Sequence, residues 1–252
     1  IKGSNMRLYQ EVGNTLRELI AQGEYPIGER LPPERDIAEQ FSVSRSVVRE
    51  ALIMLELEKL IDVRKGSGVY VVALPQSQRR AAVTDLDENT YGPFELLQAR
   101  QLLESEIAAF AAVQATKADI MKMRKAIEQE RQSLSSGTID ESADELFHCL
   151  LAQSTQNSVL ASMVHDAWQA RKHNPMWSGL HVHTSDFSYR WNWLDDHQKI
   201  LHAVLRRDAK SAKQAMWQHL ENVKTKLLEI SDPEDPSFDG FLFESTPVLQ
   251  SE

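Results

Sequence analysis

Residues 31–60 read LPPERDIAEQFSVSRSVVREALIMLELEKL, and the reading of this stretch decides the fold. Pro32 and Pro33 suit a first helical turn, where backbone N–H groups lack partners in any case. Glu34 and Asp36 follow where the helix dipole favours negative charge. Ile37, Ala38 and Phe41 share one face, so a short helix with an inward apolar side is predicted. Ser42-Val43-Ser44 interrupts the pattern, and Ser44 is suited to N-cap a second helix. That helix is expected to bury Val47, Val48, Ala51, Leu52 and Leu55, leaving Ser44, Arg45, Ser46 and Arg49 exposed at its first turn. Arg45 and Arg49 stand at helical i, i+4 spacing and project from one side. Guanidinium forks match guanine edges and phosphates, and short hydroxyls bond phosphates without filling a groove. A short helix, a turn and a second helix led by arginines is the geometry of a helix-turn-helix reader. Taken alone, the two arginines are better read as a solvated helix face.

The continuation, IDVRKGSGVYVV at 61–72, favours the reader. Its β-branched residues flank Arg64-Lys65-Gly66-Ser67-Gly68 and predict two short strands around a basic hairpin tip. A helix-turn-helix followed at once by such a hairpin is a winged helix. Across this whole length the sequence resembles the DNA-binding domain of the GntR family of bacterial transcription regulators. The resemblance implies that Arg35, Arg45 and Arg49 contact bases or phosphates, that Ser44 and Ser46 contact phosphates, and that Lys65 and Gly66 reach the minor groove.

Charge does not add to this reading. The chain has 252 residues, 42% hydrophobic and 26% charged, with a net charge of −9. Residues 1–75 carry ten Lys/Arg against eleven Asp/Glu, so even the DNA-binding part is not basic overall. Recognition must then rest on a few directed contacts, not on a general basic surface. The one cysteine, Cys149, leaves no intrachain disulfide and fits a reducing cytoplasm, which the resemblance implies is bacterial. No apolar run approaches the ~20 residues that a membrane span needs, and no membrane partner is expected.

The expected fold class is an α+β N-terminal winged helix-turn-helix followed by an all-α antiparallel helical bundle. Residues 6–72 form the first domain, with a leading helix from Leu8 to Gly23, and residues 73–92 read as a linker. Residues 93–230 are helical in pattern throughout, with segments at 94–115, 117–134, 144–153, 158–172, 191–206 and 209–230. Residues 173–177 form a corner and 179–188 carry no clear pattern. Residues 231–252 are an acidic tail holding Phe238, Phe241 and Phe243, expected to be irregular.

All eight histidines lie beyond residue 144. Asp144 and His148 sit at i, i+4 on one predicted helix, so a carboxylate oxygen and an imidazole nitrogen can converge on one ion. His197 and His219 fall on two later helices joined by a short turn and can join them. One Asp and three His suit a divalent transition metal, zinc first, with nickel or another as alternatives. Structural, hydrogen-bonded histidines are the competing reading, and His181-Val182-His183 is a rival pair. The segments LLQARQLLESEIAAFAA, ADELFHCLLAQSTQNSVL, DDHQKILHAVLRRDAKSA and AMWQHLENV resemble the FCD effector domain of the FadR branch of the same family. That domain's metal ligands match Asp144, His148, His197 and His219.

By the same resemblance Arg100 faces the effector cavity, where it could clamp a carboxylate bidentately, and Asn157 lies pocket-side. A salt bridge from Arg100 to Glu104 and a helix cap by Asn157 are the local alternatives. Asn174 and Trp177 could line the pocket. The segments YGPFELLQAR, HNPMW and AMWQHLEN further resemble the hexuronate-utilisation repressors of enteric bacteria. The implied protein is no enzyme but a homodimeric repressor on palindromic operator DNA, released by a sugar-acid effector bound at the metal. Two other readings stay open: a metal-dependent hydrolase on a DNA tether, and a regulator of this family answering a different small carboxylate with structural histidines and no metal.

Overall fold

The computed structural model describes residues 7–64, 67–75, 90–138, 141–177 and 188–232. Two compact units emerge. The first comprises residues 1–95, 174–184 and 227–252, and the second residues 96–173 and 185–226.

In the first unit, α1 (Leu8–Gln22) buries Tyr9, Val12, Leu16 and Ile20 and ends at Gly23, which takes the left-handed conformation at φ 82°. Helices α2 (Glu34–Phe41) and α3 (Arg45–Leu57) follow, and α3 packs on both α1 and α2. Pro33 stands at the N-cap of α2, so that helix begins just after its two prolines. Ser44 caps α3 as its sequence indicates, its Oγ accepting from Val47 N at 3.4 Å. The face of α3 differs from expectation. Burial is continuous from Val48 to Leu55, so Arg49 and Glu50 are enclosed among apolar residues while Val47 is only half-buried.

Strands β1 (Ile61–Arg64) and β2 (Gly68–Val71) pair antiparallel, Ile61 opposite Val71 and Arg64 opposite Gly68. The chain ahead of α2 adds to the free edge of β2. Leu31 N donates to Val69 O at 2.8 Å and Val71 N to Glu29 O at 3.0 Å. Gly68 is required twice over, by a φ of +105° and by the Arg30 guanidinium, which occupies the space of a side chain there.

The first turn of α4 (Pro93–Gln114) and the last turn of α9 (Ala209–Ile230) complete this unit. Both attach to neighbouring residues of α3. Glu50 Oε1 accepts from Phe94 N at 2.7 Å and Glu95 N at 2.9 Å, at the positive pole of α4. Arg49 Nη1 donates to Leu228 O at 3.1 Å and Ser231 Oγ at 2.6 Å, at the negative pole of α9. Any side chain at Gly92 would meet the Glu50 carboxylate. Burial pushes the Glu50 pKa up to about 7 against the two backbone N–H bonds that pull it down.

The second unit holds the rest of α4 with α5 (Lys117–Ser135), α6 (Ser142–Gln153), α7 (Ser158–Lys172), α8 (Tyr189–Leu205) and most of α9. α5 packs on α6 and α8, and α6 on α7. One core cluster joins Ile107, Ala152, Val164 and Trp168, with Cys149 against it. Thr116 and Asp119 cap α5 reciprocally. α6 starts at Ser142, ahead of the Asp144 start read from the sequence. Among the described residues no helix is long and apolar enough to cross a membrane. Most of the linker, the unpatterned segment with His181 and His183, and the aromatics of the tail lie outside the described residues.

Candidate functional site

Within the second unit Asp144, His148, His197 and His219 converge, each offering a ligand atom within 4.8 Å of the others. α6 supplies the first two from one face, α8 supplies His197 and α9 His219. All three histidines are fully enclosed, at 2%, 0% and 2% exposure for His148, His197 and His219. The Nε2 atoms of His197 and His219 face each other at 3.2 Å. Asp144 Oδ1 lies 3.3 Å from His148 Nε2 and 3.5 Å from His197 Nε2. Even so, Asp144 Oδ1 and His148 Nε2 are buried with no hydrogen-bond partner among the described residues.

A second ring of carboxylates explains this inward aim. His148 Nδ1 bonds Glu104 Oε2, and His197 Nδ1 donates to Glu130 Oε2 at 2.8 Å. His219 Nδ1 faces Asp196 Oδ2 at 3.8 Å, too long for a hydrogen bond. An ionised carboxylate only accepts, so it holds the proton on Nδ1 and turns the Nε2 lone pair toward the centre. Two lone pairs 3.2 Å apart repel unless a cation or proton lies between them. Burial lowers the His148 pKa, but Glu104 and Asp144 outweigh it and the net shift is upward. Burial, helped by the charge of His197, pushes His219 down to about 3. Burial also opposes the Asp144 carboxylate, yet contact with His148 and the charges of His197 and Arg171 hold it well below the usual range. These residues fit a divalent transition metal: three buried imidazoles and one partly buried carboxylate, convergent and with carboxylates behind His148 and His197. Glu104, Glu130 and Asp196 were not singled out as site residues from the sequence. Asp196 stands beside His197 in the chain, but Glu130 is 67 residues from its histidine and carries no local signal.

The residues expected around an effector are scattered. Arg100 is 3% exposed, donates from Nε to Glu104 Oε1 at 2.6 Å and lies over the Trp168 ring at 4.3 Å. The salt-bridge alternative at this position is therefore present. Asn157 is exposed and caps α7, accepting from Val159 N at 3.0 Å and Leu160 N at 3.2 Å. Asn174 and Trp177 belong to the first unit and are buried there, Asn174 donating to Tyr91 O at 2.6 Å.

Of the residues expected at DNA, Arg35 is exposed and pairs with Asp36 at 3.3 Å. The Ser44 and Ser46 hydroxyls bond each other at 2.8 Å. Arg45 is 53% exposed, 3.0 Å from Asp232 and 3.6 Å from Glu34. Arg49 is not on the surface where its spacing put it. At 2% exposure its guanidinium grips the Glu34 carboxylate with two nitrogens and reaches the end of α9. Lys65 and Gly66 lie outside the described residues, but Arg64 beside them is half-exposed and stacks on Tyr70 at 4.3 Å.

The family model for bacterial regulatory proteins, gntR family, matches residues 8–71, and that for the FCD domain matches residues 95–222. The chain is 53% identical over 247 residues to the Uxu operon transcriptional regulator of Escherichia coli, covering 97% of this chain and 96% of that one. It is 51% identical over 243 residues to the Uxu operon regulator of Haemophilus influenzae, covering 96% and 90%. It is 49% identical over 244 residues to the Exu regulon transcriptional regulator of Escherichia coli, covering 96% and 93%.

Proposed function

The chain belongs to the gntR family of bacterial regulatory proteins and carries an FCD domain, and from that premise we propose that it represses hexuronate-catabolism genes and leaves its operator when a hexuronate binds at a metal in the helical domain. Regulation, not turnover, is what the family does. The observation that carries the effector half of the reading is the convergence of Asp144, His148, His197 and His219 inside the FCD-matched segment. A divalent ion there, zinc or a neighbour such as nickel, would supply open coordination positions for a carboxylate or hydroxyl. Arg100, beside Glu104 and over Trp168, is the sequence-derived effector contact adjoining this centre.

On the DNA side, Arg35, Ser44, Arg45 and Ser46 offer donors at the start of α2 and α3, and the family resemblance adds Lys65 and Gly66, outside the described residues, as minor-groove contacts. Arg49 would join them only by giving up its buried bonds. A homodimer reading a palindrome multiplies the affinity of one such domain. Exposed Leu102, Phe110 and Val113 on α4, at 58%, 41% and 59%, give the second unit an apolar face for a second copy of the chain.

The test begins with duplexes selected from a random pool by the zinc-loaded full chain. Anisotropy at fixed salt then follows their binding with and without galacturonate, glucuronate and fructuronate. One of these should weaken binding by roughly 5–150-fold. If none changes the affinity of metal-loaded protein, the hexuronate reading falls.

A further inference from the structure

Beside the histidine centre, two arginines hold one carboxylate. Arg190 Nη2 of α8 donates to Glu141 Oε1 at 2.6 Å, and Arg171 Nη2 of α7 lies 2.7 Å from Glu141 Oε2. Receptor and occupant are enclosed to different degrees. The arginines are 4% and 7% exposed, whereas the side chain of Glu141, at the N-cap of α6, is 33% exposed. A paired-guanidinium cradle is thus built into the interior and filled by a carboxylate that reaches in from the surface.

We propose that the Arg171–Arg190 pair is the subsite for the carboxylate of a small-acid effector, and that Glu141 is its internal occupant, displaced when the effector binds. The proposal rests on the effector reading given above and deepens it. Arg171 ties the cradle to the metal centre, with Nη1 4.0 Å from Asp144 Oδ2, so one ligand can span both. Trp168 separates Arg171 from Arg100, the guanidinium carbons lying 4.4 and 4.3 Å from its ring centroid. Two donors on residues of this region, Arg190 Nε and Trp168 Nε1, are buried without a hydrogen-bond partner among the described residues.

Charge supports an incoming anion. With a divalent ion in place, its two charges and those of Arg100, Arg171, Arg190 and Lys199 exceed by one the carboxylates of Glu104, Glu130, Asp144, Glu141 and Asp196, to which Lys199 is paired at 2.7 Å. Arg100 is a poorer receptor. Its partner Glu104 is 2% exposed and also bonds His148, so it has no route to water. Glu141 can rotate outward and be solvated, which lowers the cost of exchanging it for a ligand carboxylate.

Calorimetry on the zinc-loaded full chain tests this with D-galacturonate, D-glucuronate, L-lactate and neutral D-glucuronamide as probes. The expected result is that an acid binds and the amide binds at least ten times more weakly. Arg190→Met should weaken the acid at least tenfold with zinc stoichiometry unchanged. Glu141→Gln should tighten it several-fold, because the internal competitor loses its charge. The Arg190→Met/Glu141→Gln double variant removes the charge of Arg190 together with that of its carboxylate and leaves Arg171 with Asp144 at 4.0 Å, so it guards against loss of folding better than Arg190→Met alone and should still not bind. Acid binding that ignores both Arg190→Met and Glu141→Gln would reduce the triad to a structural ion cluster while leaving the effector reading intact. Lactate binding with this variant pattern, and no uronate binding, would keep the subsite and remove the hexuronate. Failure of every acid to bind would remove both.

Discussion

The start of α3 and the histidine centre both bury charged groups, but they direct them oppositely. At α3 the charges are satisfied inside the chain. Arg49 meets Glu34, Leu228 and Ser231, and Glu50 meets the backbone N–H groups of Phe94 and Glu95. At the centre, carboxylates hold the outer nitrogens of His148 and His197 while the Nε2 atoms turn toward a shared point. The first arrangement fastens helices to one another, and the second turns its donor atoms toward one another. Spacing in the sequence marks both kinds of residue and does not distinguish them. Only the partner on the far side of each polar group does.

If α3 is a fastening, removing half of it should be the most damaging change in the molecule. Arg49→Ala leaves Glu34, which is 5% exposed, as a buried charge with only the half-exposed Arg45 at 3.6 Å to pair with. Breaking a buried pair in this way costs about 3–5 kcal/mol. Urea unfolding of the full chain, followed through the transition of the first unit, should show that loss. The apolar double variant Arg49→Met/Glu34→Leu should recover most of it. A single variant as stable as the parent would mean that Arg49 is not held as described and is free to serve as a DNA contact.

Glu50 sharpens the contrast through pH. Its folded pKa is raised from 4.5 to about 7, chiefly by burial. A carboxyl raised on folding binds protons more tightly in the native state, so its contribution is fully present below about pH 4.5 and is lost as pH rises through about 7. At about 1.36 kcal/mol per pKa unit, the difference is on the order of 3 kcal/mol. Glu50→Gln keeps the oxygen that accepts from Phe94 and Glu95 but cannot ionise. The gap in stability between variant and parent should therefore widen in the variant's favour from pH 5 to pH 8. Parallel curves over that range would show that the α4 pole holds the carboxylate charged at no cost.

The winged helix, the succession of helices in the second unit and the quartet of donors were all legible in the sequence. The wing and the helices depend on spacing within one or two elements, as does the pairing of Asp144 with His148 one turn apart; His197 and His219, on two later helices, were joined to them by the family resemblance and not by spacing alone. The regional burial of α3 was not legible, because the ends of α4 and α9 cover Arg49 and Glu50, and those residues stand far away in the chain. The carboxylates behind the histidines were hidden for the same reason. Glu104 looks in sequence like a surface ion-pair partner of Arg100, and only the fold turns its other oxygen toward His148. Asn157 could be read either way locally, and its side chain caps α7.

The carboxylate ring gives a smaller and more selective effect. Loss of an outer partner typically costs about 10–100-fold in metal affinity. Glu130→Ala should weaken zinc binding by roughly that factor and leave the fold intact, since His197 stays enclosed by its neighbours. Competition with a chromophoric chelator measures it, and zinc-induced rise in melting temperature checks it independently. Unchanged affinity would mean that the orientation of His197 is set by packing against neighbouring rings, His219 at 4.5 Å and Phe147 at 4.6 Å.

The smallest expected change joins the two regions of behaviour in one residue. Arg45 is half outside, 53% exposed, and half engaged, with Asp232 at 3.0 Å. Asp232 is 25% exposed and also lies 3.8 Å from the buried Arg49, which keeps its closer bonds to Glu34; a half-exposed pair such as Arg45–Asp232 contributes about 0–1 kcal/mol, so Asp232→Asn should cost little stability. If Arg45 reads DNA, its pairing competes with the operator, and Asp232→Asn should raise operator affinity a few-fold, whereas Arg45→Ala should lower it by about 1–3 kcal/mol. Neutralising an acid near phosphate also helps binding without any specific pairing, so the single variant does not decide the matter. The double variant does. If Asp232 acts through Arg45, the gain from Asp232→Asn disappears in the Arg45→Ala background; if it acts through general repulsion, the gain persists unchanged. A phosphate role for Arg45 would also lower the salt slope of binding by about one in Arg45→Ala. Anisotropy at two salt concentrations on the four proteins therefore separates an arginine held back by its own chain from one that merely sits near an acid.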